Sequence, residues 1–246
     1  MALTDGIVGC WSPSIRGSGY LLPDLSGRGN HGTLTNMDAG TDWPGATVRG
    51  ASGRVLDFDG TNDYVTAGVN GLRSLTSVTI SVWAQLASTS QAMLVNARST
   101  NTIFNFFLFG GAITLRGGSA TAVSVTAPTG TTNNWRHFVG TIRDTTGTIY
   151  YDGGSLASGT VTAIGASPTG LDIGAYSDFG GGYFLSGQVG EVAIFNRALT
   201  QPEVLELFRR GNGAIGRHLT GQTRRRVYGF VPATGARRRR ILTGMV

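Results

Sequence analysis

Apolar and polar residues alternate with a period of two along much of this chain, and residues 55–67, VLDFDGTNDYVTA, set the pattern. Leu56 and Phe58 alternate with Asp57 and Asp59, and Tyr64 and Val65 resume the alternation after a turn-rich GTND. Period-two alternation marks a strand with one buried face, and Gly60, Asn62 and Asp63 are turn formers. The run therefore predicts a strand, a tight turn and a second strand paired as a hairpin.

The same alternation recurs. A first strand is predicted over residues 6–12, with Cys10 buried on it and Trp11 too large to leave exposed. The clearest strand is residues 77–86, where Val78, Ile80, Val82, Ala84 and Leu86 share one face and Thr79, Ser81, Trp83 and Gln85 the other. Shorter strands follow at 92–96, 102–109, 112–116, 120–126, 135–143, 147–152 and 171–175, and a last pair falls within 183–195. Two stretches read as surface loops, residues 23–34 (PDLSGRGNHGTL) and residues 38–52, the latter with Trp43 as an anchor. Many short strands without intervening helical periodicity predict a sandwich or jelly roll. One helix stands out near residue 200. Thr200 is its N-cap, Pro202 lies in its first turn, Glu203 completes a capping box and Gly211 ends it, with Val204, Leu205 and Phe208 as the apolar stripe.

Composition agrees with this picture and divides the chain. The 246 residues include 39 glycines and only 14% charged side chains, as expected of many turns between short strands. A single cysteine excludes an intrachain disulfide framework and a Cys-based zinc site. No apolar run approaches the roughly 20 residues needed to span a bilayer, and no signal-peptide pattern opens the chain. All twenty basic residues are Arg; residues 1–208 carry a net charge of −4 and residues 209–246 a net charge of +10. The division predicts a domain over 1–212 and an arginine-rich arm over 213–246. The arm repeats with an offset of 14, Thr220-Gly221 with Arg224, Arg225, Arg226, Val227 and Tyr228, then Thr234-Gly235 with Arg238, Arg239, Arg240, Ile241 and Leu242. Arg237 extends the second cluster. A solvated, disordered tail and a docking arm both fit that composition, and the apolar pair after each cluster favours docking.

Taken in order, VLDFDGTNDYVTAG, SVTISVWAQL, NNWRHFVGTIR with TIYYDGG, and LSGQVGEVAIFNRALTQPEVLEL resemble the laminin-G-like domains of the concanavalin A-like jelly rolls, in the branch near the pentraxins. DLSGRGNHGTL at residues 24–34 is similar to that family's N-terminal loop, and the resemblance covers about residues 5–211. It implies an all-β fold of two antiparallel sheets packed face to face. One short C-terminal helix and an extended basic tail would be added to it. The strand at Trp135 and the strand ending at Phe195 would lie inside, and the latter would pair with N-terminal strands.

Family members often bind calcium, which takes hard oxygen ligands. Asp24 and Asn30, with Glu191 closing from the other end of the chain, are the expected ligands of a structural calcium ion; capping of their own turn is the competing reading. Glycanases of this fold align two carboxylates on one strand. The chain has only three Glu, Glu191, Glu203 and Glu206, in no such pattern, and His31, His137 and His218 are scattered, so no enzyme is expected. A sugar site needs an aromatic platform beside a few polar groups. Tyr176, Phe179 and Tyr183 in AYSDFGGGYF are the candidates, against cover of a sheet edge or an oligomer contact, while Phe104, Phe106, Phe107 and Phe109 read as sheet-face packing. The arm would bind through Arg224, Arg225, Arg226, Tyr228, Arg237, Arg238, Arg239 and Arg240. Its planar guanidinium forks fit carboxylates on further copies of this chain or on capsid or tail proteins better than nucleic acid. Two functions follow as expectations. One is a structural or decoration protein of a phage virion. The other is a carbohydrate-binding module or adhesin, extracellular or at a cell surface.

Overall fold

The computed structural model describes residues 3–49, 51–99, 102–176 and 183–221. In chain order its strands begin with β1 (Ile7–Trp11), β2 (Leu21–Leu22), β3 (Gly32–Thr35), β4 (Gly45–Val48), β5 (Ala51–Arg54) and β6 (Leu56–Asp59). There follow β7 (Tyr64–Ala67), β8 (Ser77–Leu86), β9 (Gln91–Arg98), β10 (Thr102–Phe109), β11 (Ala112–Gly117) and β12 (Ala122–Thr126). The last strands are β13 (Trp135–Arg143), β14 (Thr146–Tyr151), β15 (Gly154–Thr160), β16 (Gly170–Ile173) and β17 (Ser186–Phe195), and two helices follow, α1 (Gln201–Arg210) and α2 (Ala214–Leu219).

Two antiparallel sheets form a jelly-roll sandwich. One is seven-stranded, in the order β1-β17-β8-β13-β14-β15 with β6 also on β17; the other is eight-stranded, in the order β12-β11-β10-β9-β16-β7-β3-β2. A separate hairpin joins β4 and β5. Alternation decides which side chains meet between the sheets. From the seven-stranded sheet, Val78, Ile80, Val82, Phe138 and Ile194 enter one core with Phe104, Phe106, Leu115, Leu171 and Ile173 from the other. β17 does pair with the N-terminal β1, and β13 and β17 both lie inside their sheet, as the resemblance implies.

The pairing predicted for residues 55–67 is corrected by the structure. β6 pairs with β17 in one sheet, whereas β7 pairs with β3 and β16 in the other, so the run is an arch between sheets and not a hairpin. Leu56 and Phe58 face the same core as Val65 and Ala67, from opposite sides. Side chains make the bend. Asp59 Oδ1 accepts the N–H groups of Thr61 at 2.7 Å and Asn62 at 3.3 Å, and Asp63 Oδ2 accepts that of Asp59 at 3.0 Å. Alternation alone is identical in a hairpin and an arch, because both bury every second residue.

Elsewhere the differences have compositional causes. β15, sequence GSLASGT, pairs fully with β14 but carries small, half-exposed residues, so it has no apolar alternation to read. β3 begins inside the expected loop 23–34, and β4–β5 occupies most of the expected loop 38–52. Trp43 is buried there, its Nε1 donating to the Gly19 carbonyl at 2.9 Å.

The outer face of the seven-stranded sheet is closed over. Cys10, Val139, Tyr150, Ala193 and Phe195 form a second core with Leu199, Val204 and Leu207 of the α1 region and Ile215 of α2. Around Trp83 a stack adds to it, with His137 at 4.7 Å, Phe208 at 5.9 Å and the Arg49 guanidinium 3.8 Å over the Phe208 ring. The capping box at α1 is present: Glu203 accepts the Thr200 N–H at 2.8 Å and pairs with Arg197 at 2.8 Å. α2 was not predicted, and it carries the folded body past residue 212, through Leu219.

Candidate functional site

With one sheet face covered by helices, the outer face of the eight-stranded sheet is where polar and aromatic groups accumulate. Across it runs a row with one residue from each successive strand. Arg116 on β11 opposes Asn105 on β10, which opposes Asn96 on β9, then Asp172 on β16, Thr66 on β7 and Thr33 on β3. Their chain neighbours Leu115, Phe104, Phe106, Val95, Ala97, Leu171, Ile173, Val65 and Ala67 all point into the core, so the pleat sends the row outward.

The row is unevenly satisfied. Asp172 is fully buried, pairs with Arg98 Nε at 2.9 Å and accepts from the Thr66 hydroxyl at 3.4 Å. Arg98 lies over Gly170, where a Cβ would come within 2.9 Å of its guanidinium carbon. By contrast, both amide atoms of Asn96, Asn105 Oδ1 and Arg116 Nε are buried without a hydrogen-bond partner. A buried polar atom left unpaired costs about 1–3 kcal/mol, so a cluster of four on one face calls for an explanation.

Above this floor stand the aromatics. Met93, Asn105, Phe107, Phe109, Arg116, Tyr176 and Tyr183 line a cavity of about 320 Å³. Phe109 and Tyr183 meet edge to face at 5.6 Å and Tyr176 and Tyr183 at 6.4 Å, and Phe109 and Tyr183 are exposed. Two of the three aromatics expected to bind sugar, Tyr176 and Tyr183, thus belong to one site; Phe179 lies outside the described residues. The reading of the β10 phenylalanines as plain packing holds for Phe104 and Phe106, which are in the core, and fails for Phe107 and Phe109, which line the cavity. The polar floor was missed. Its signal was present as single polar residues between two core residues, F-N-F, V-N-A and L-D-I, on separate strands.

The expected calcium ligands form a different arrangement. Asp24 Oδ1 accepts the N–H groups of Cys10 at 3.0 Å and Ser26 at 2.9 Å, and Oδ2 accepts the Ser26 hydroxyl at 2.7 Å and the Asn30 N–H at 3.0 Å. Those four donors occupy the roughly four lone-pair sites of a carboxylate. Asn30 donates to the carbonyls of Val8 and Asn70 and accepts the Asn70 N–H at 2.7 Å. Glu191 accepts the N–H groups of Ile215 at 3.1 Å and Gly216 at 2.7 Å. N–H groups converge where a cation would need oxygens, so these residues do not fit calcium. Among the described residues no group of three or more His, Cys, Asp or Glu side chains could hold a metal ion. Glu191 reaches this position because β17 bulges between Val189 and Val192, which both face the core. The extra residue turns Glu191 outward toward α2. Burial pushes its carboxyl up to about 7, against the lowering effect of the Gly216 and Ile215 N–H groups.

His137 is buried. Its Nε2 shares a hydrogen bond with the Ser81 hydroxyl at 2.9 Å, and burial, with the nearby Arg49 charge, lowers its pKa to about 3. The arm residues Arg224, Arg225, Arg226, Tyr228, Arg237, Arg238, Arg239 and Arg240 lie outside the described residues.

A family model described as the concanavalin A-like lectin/glucanases superfamily (Laminin_G_3) matches residues 59–205. The chain belongs to that superfamily. No curated protein sequence matches it. Among solved structures, it is similar to the binding domain of Paraclostridial Mosquitocidal Protein 1, with a TM-score of 0.62 at 17% identity over 84% of this chain and 52% of that one. The binding domain of Botulinum Neurotoxin DC in complex with SialylT gives a TM-score of 0.62 at 11% identity, over 85% and 52%. Trypanosoma rangeli sialidase in complex with sialic acid gives 0.62 at 18%, over 83% and 33%. The superfamily member described here thus spans about half of the toxin binding domains and a third of the sialidase. At these identities the likeness is one of fold.

Proposed function

We propose that this chain is a non-catalytic glycan-binding module whose sugar sits on the outer face of the eight-stranded sheet. The observation that carries the reading is the coincidence of exposed Tyr183 and Phe109 with buried, unpartnered polar atoms on Asn105 and Arg116 in one cavity. A pyranose presents an apolar C–H face and a rim of hydroxyls. The aromatic wall offers stacking surface to the first, and Asn105 and Arg116 offer an acceptor and a donor to the second. A cavity of about 320 Å³ falls within the range of small-ligand sites.

The likeness to a toxin binding domain and a sialidase solved with sialylated ligands supports this reading over the virion-assembly alternative. The placement of the three Glu residues supports the non-catalytic part: Glu191, Glu203 and Glu206 all serve the helices. The test is a glycan array read with the wild type, Tyr176→Ala and Tyr183→Ala. Each variant is expected to lose on the order of tenfold or more in affinity, by analogy with base–aromatic stacking. Binding unchanged in both variants, or no binding by the wild type to any sugar, would overturn the reading.

A further inference from the structure

We infer that the sugar bound on this face is acidic, and that Arg116 takes its carboxylate. This rests on the glycan-binding reading and specifies the ligand class. The charges on the row are unequal. Asp172 is neutralised by Arg98 at 2.9 Å, leaving Arg116 as the surplus positive charge among the described residues of the row. Among the described residues the Arg116 guanidinium lies over the Phe107 ring, at 5.6 Å. An aromatic face orients a guanidinium without consuming its N–H donors. Among the described residues, the cation therefore stands at the cavity with its Nε buried and unpartnered.

The neighbouring group sharpens the class. Asn105 sits directly opposite Arg116 across the β10–β11 ladder, and its unpartnered atom is Oδ1, an acceptor. Opposed side chains in such a pair start about 4.5–5.5 Å apart at Cβ. A ligand satisfying both must present an anionic acceptor to Arg116 and a hydroxyl or amide donor to Asn105 at close spacing. A carboxylate on a sugar ring beside a hydroxyl has that pattern, and its planar pair of oxygens matches the guanidinium fork. Uronic and sialic acids both supply it. A neutral hexose would leave the charge of Arg116 unanswered.

The experiment uses the full chain on an array holding matched neutral and carboxylated glycans, read with wild type, Arg116→Gln and Arg116→Lys. Titrations of sialyllactose against lactose, and of oligogalacturonate against its methyl ester, then separate the two sources of carboxylate. The wild type should bind the acidic member of at least one pair about ten- to a hundredfold more tightly, the range for a hydrogen bond to a charged group. Arg116→Gln should abolish that difference, and Arg116→Lys should restore part of it. Equal binding of acidic and neutral partners by the wild type, or an acid preference that survives Arg116→Gln, would overturn the inference and leave the glycan reading standing. Failure to bind any member of the array would overturn both.

Discussion

Glu191 Oε2 accepts the Gly216 N–H at 2.7 Å, and the approach depends on Gly216 having no side chain. A Cβ there would lie 3.2 Å from the same oxygen, 3.0 Å from Ser12 Cβ and 2.9 Å from Leu25 Cδ1. The pair ties α2 to the bulge of β17 and buries an acid whose pKa rises to about 7. The sign follows from proton counting. Between about pH 4.5 and 7 the folded chain holds a proton that the unfolded chain has released, so this contribution is full below pH 4.5 and is lost as pH rises to about 7. Its size is on the order of 3 kcal/mol. Urea unfolding of the wild type and Glu191→Gln should show their stability difference shifting by that order between the two limits. A difference independent of pH would show that Glu191 does not titrate there.

His137 carries the opposite slope. Burial holds its pKa at about 3 against an ordinary 6.5, so the folded state keeps it neutral where the unfolded chain would take up a proton. Stability from this group is full above about pH 6.5 and falls away as pH drops toward 3. Where the two windows overlap, from about pH 4.5 to 6.5, one proton bound by folding offsets one released, and wild-type stability should be nearly flat. Glu191→Gln should tilt that plateau upward with pH, and His137→Phe, which keeps the ring stack on Trp83, should tilt it downward. Tilts of the same sign would defeat the account.

Much of the fold was legible because burial has a period. β8 and β13 match their predicted bounds residue for residue, since each places a continuous apolar set on one face. The helix at Gln201 was legible because its caps are chemical signals. What alternation cannot carry is which strand pairs with which, and so the arch at Asp59–Asp63 looked like a hairpin. The site was half legible for a related reason. Tyr176 and Tyr183 lie in a glycine-rich loop, where aromatics have no structural duty, and they stood out. Asn96, Asn105 and Arg116 reach one face only through long-range register, and each alone resembles an ordinary outward strand residue.

Chelation should not destabilise the protein. The oxygens of Asp24 and Glu191 are occupied by N–H and O–H donors from their own chain, so removing free calcium should leave the melting temperature unchanged. Asp24→Ala, in contrast, would strand the buried N–H groups of Cys10 and Asn30 and should cost on the order of 3 kcal/mol or more. Thermal melts with and without a chelator decide it. A fall of a few degrees with the chelator, equivalent to about 1 kcal/mol or less for a chain of this size, would restore the metal.

Asn96 and Asn105 should respond oppositely to what a buried polar residue usually does. Replacing a well-bonded buried amide costs stability, whereas both ends of the Asn96 amide are enclosed without a partner. Asn96→Val keeps a strand-favouring side chain and removes two unsatisfied atoms, so it should leave stability unchanged or raise it by about 1 kcal/mol. Asn105→Val removes one such atom and should also be tolerated, but Asn105 lines the cavity, and its loss should weaken glycan binding by roughly tenfold. Unfolding curves and glycan titrations on the same two variants separate the outcomes. Destabilisation of both by several kcal/mol would mean that these amides hold the sheet together. Gain or neutrality in stability with loss of binding at Asn105 is what a site kept for a ligand requires, because a polar atom without a partner in the fold is retained for one outside it.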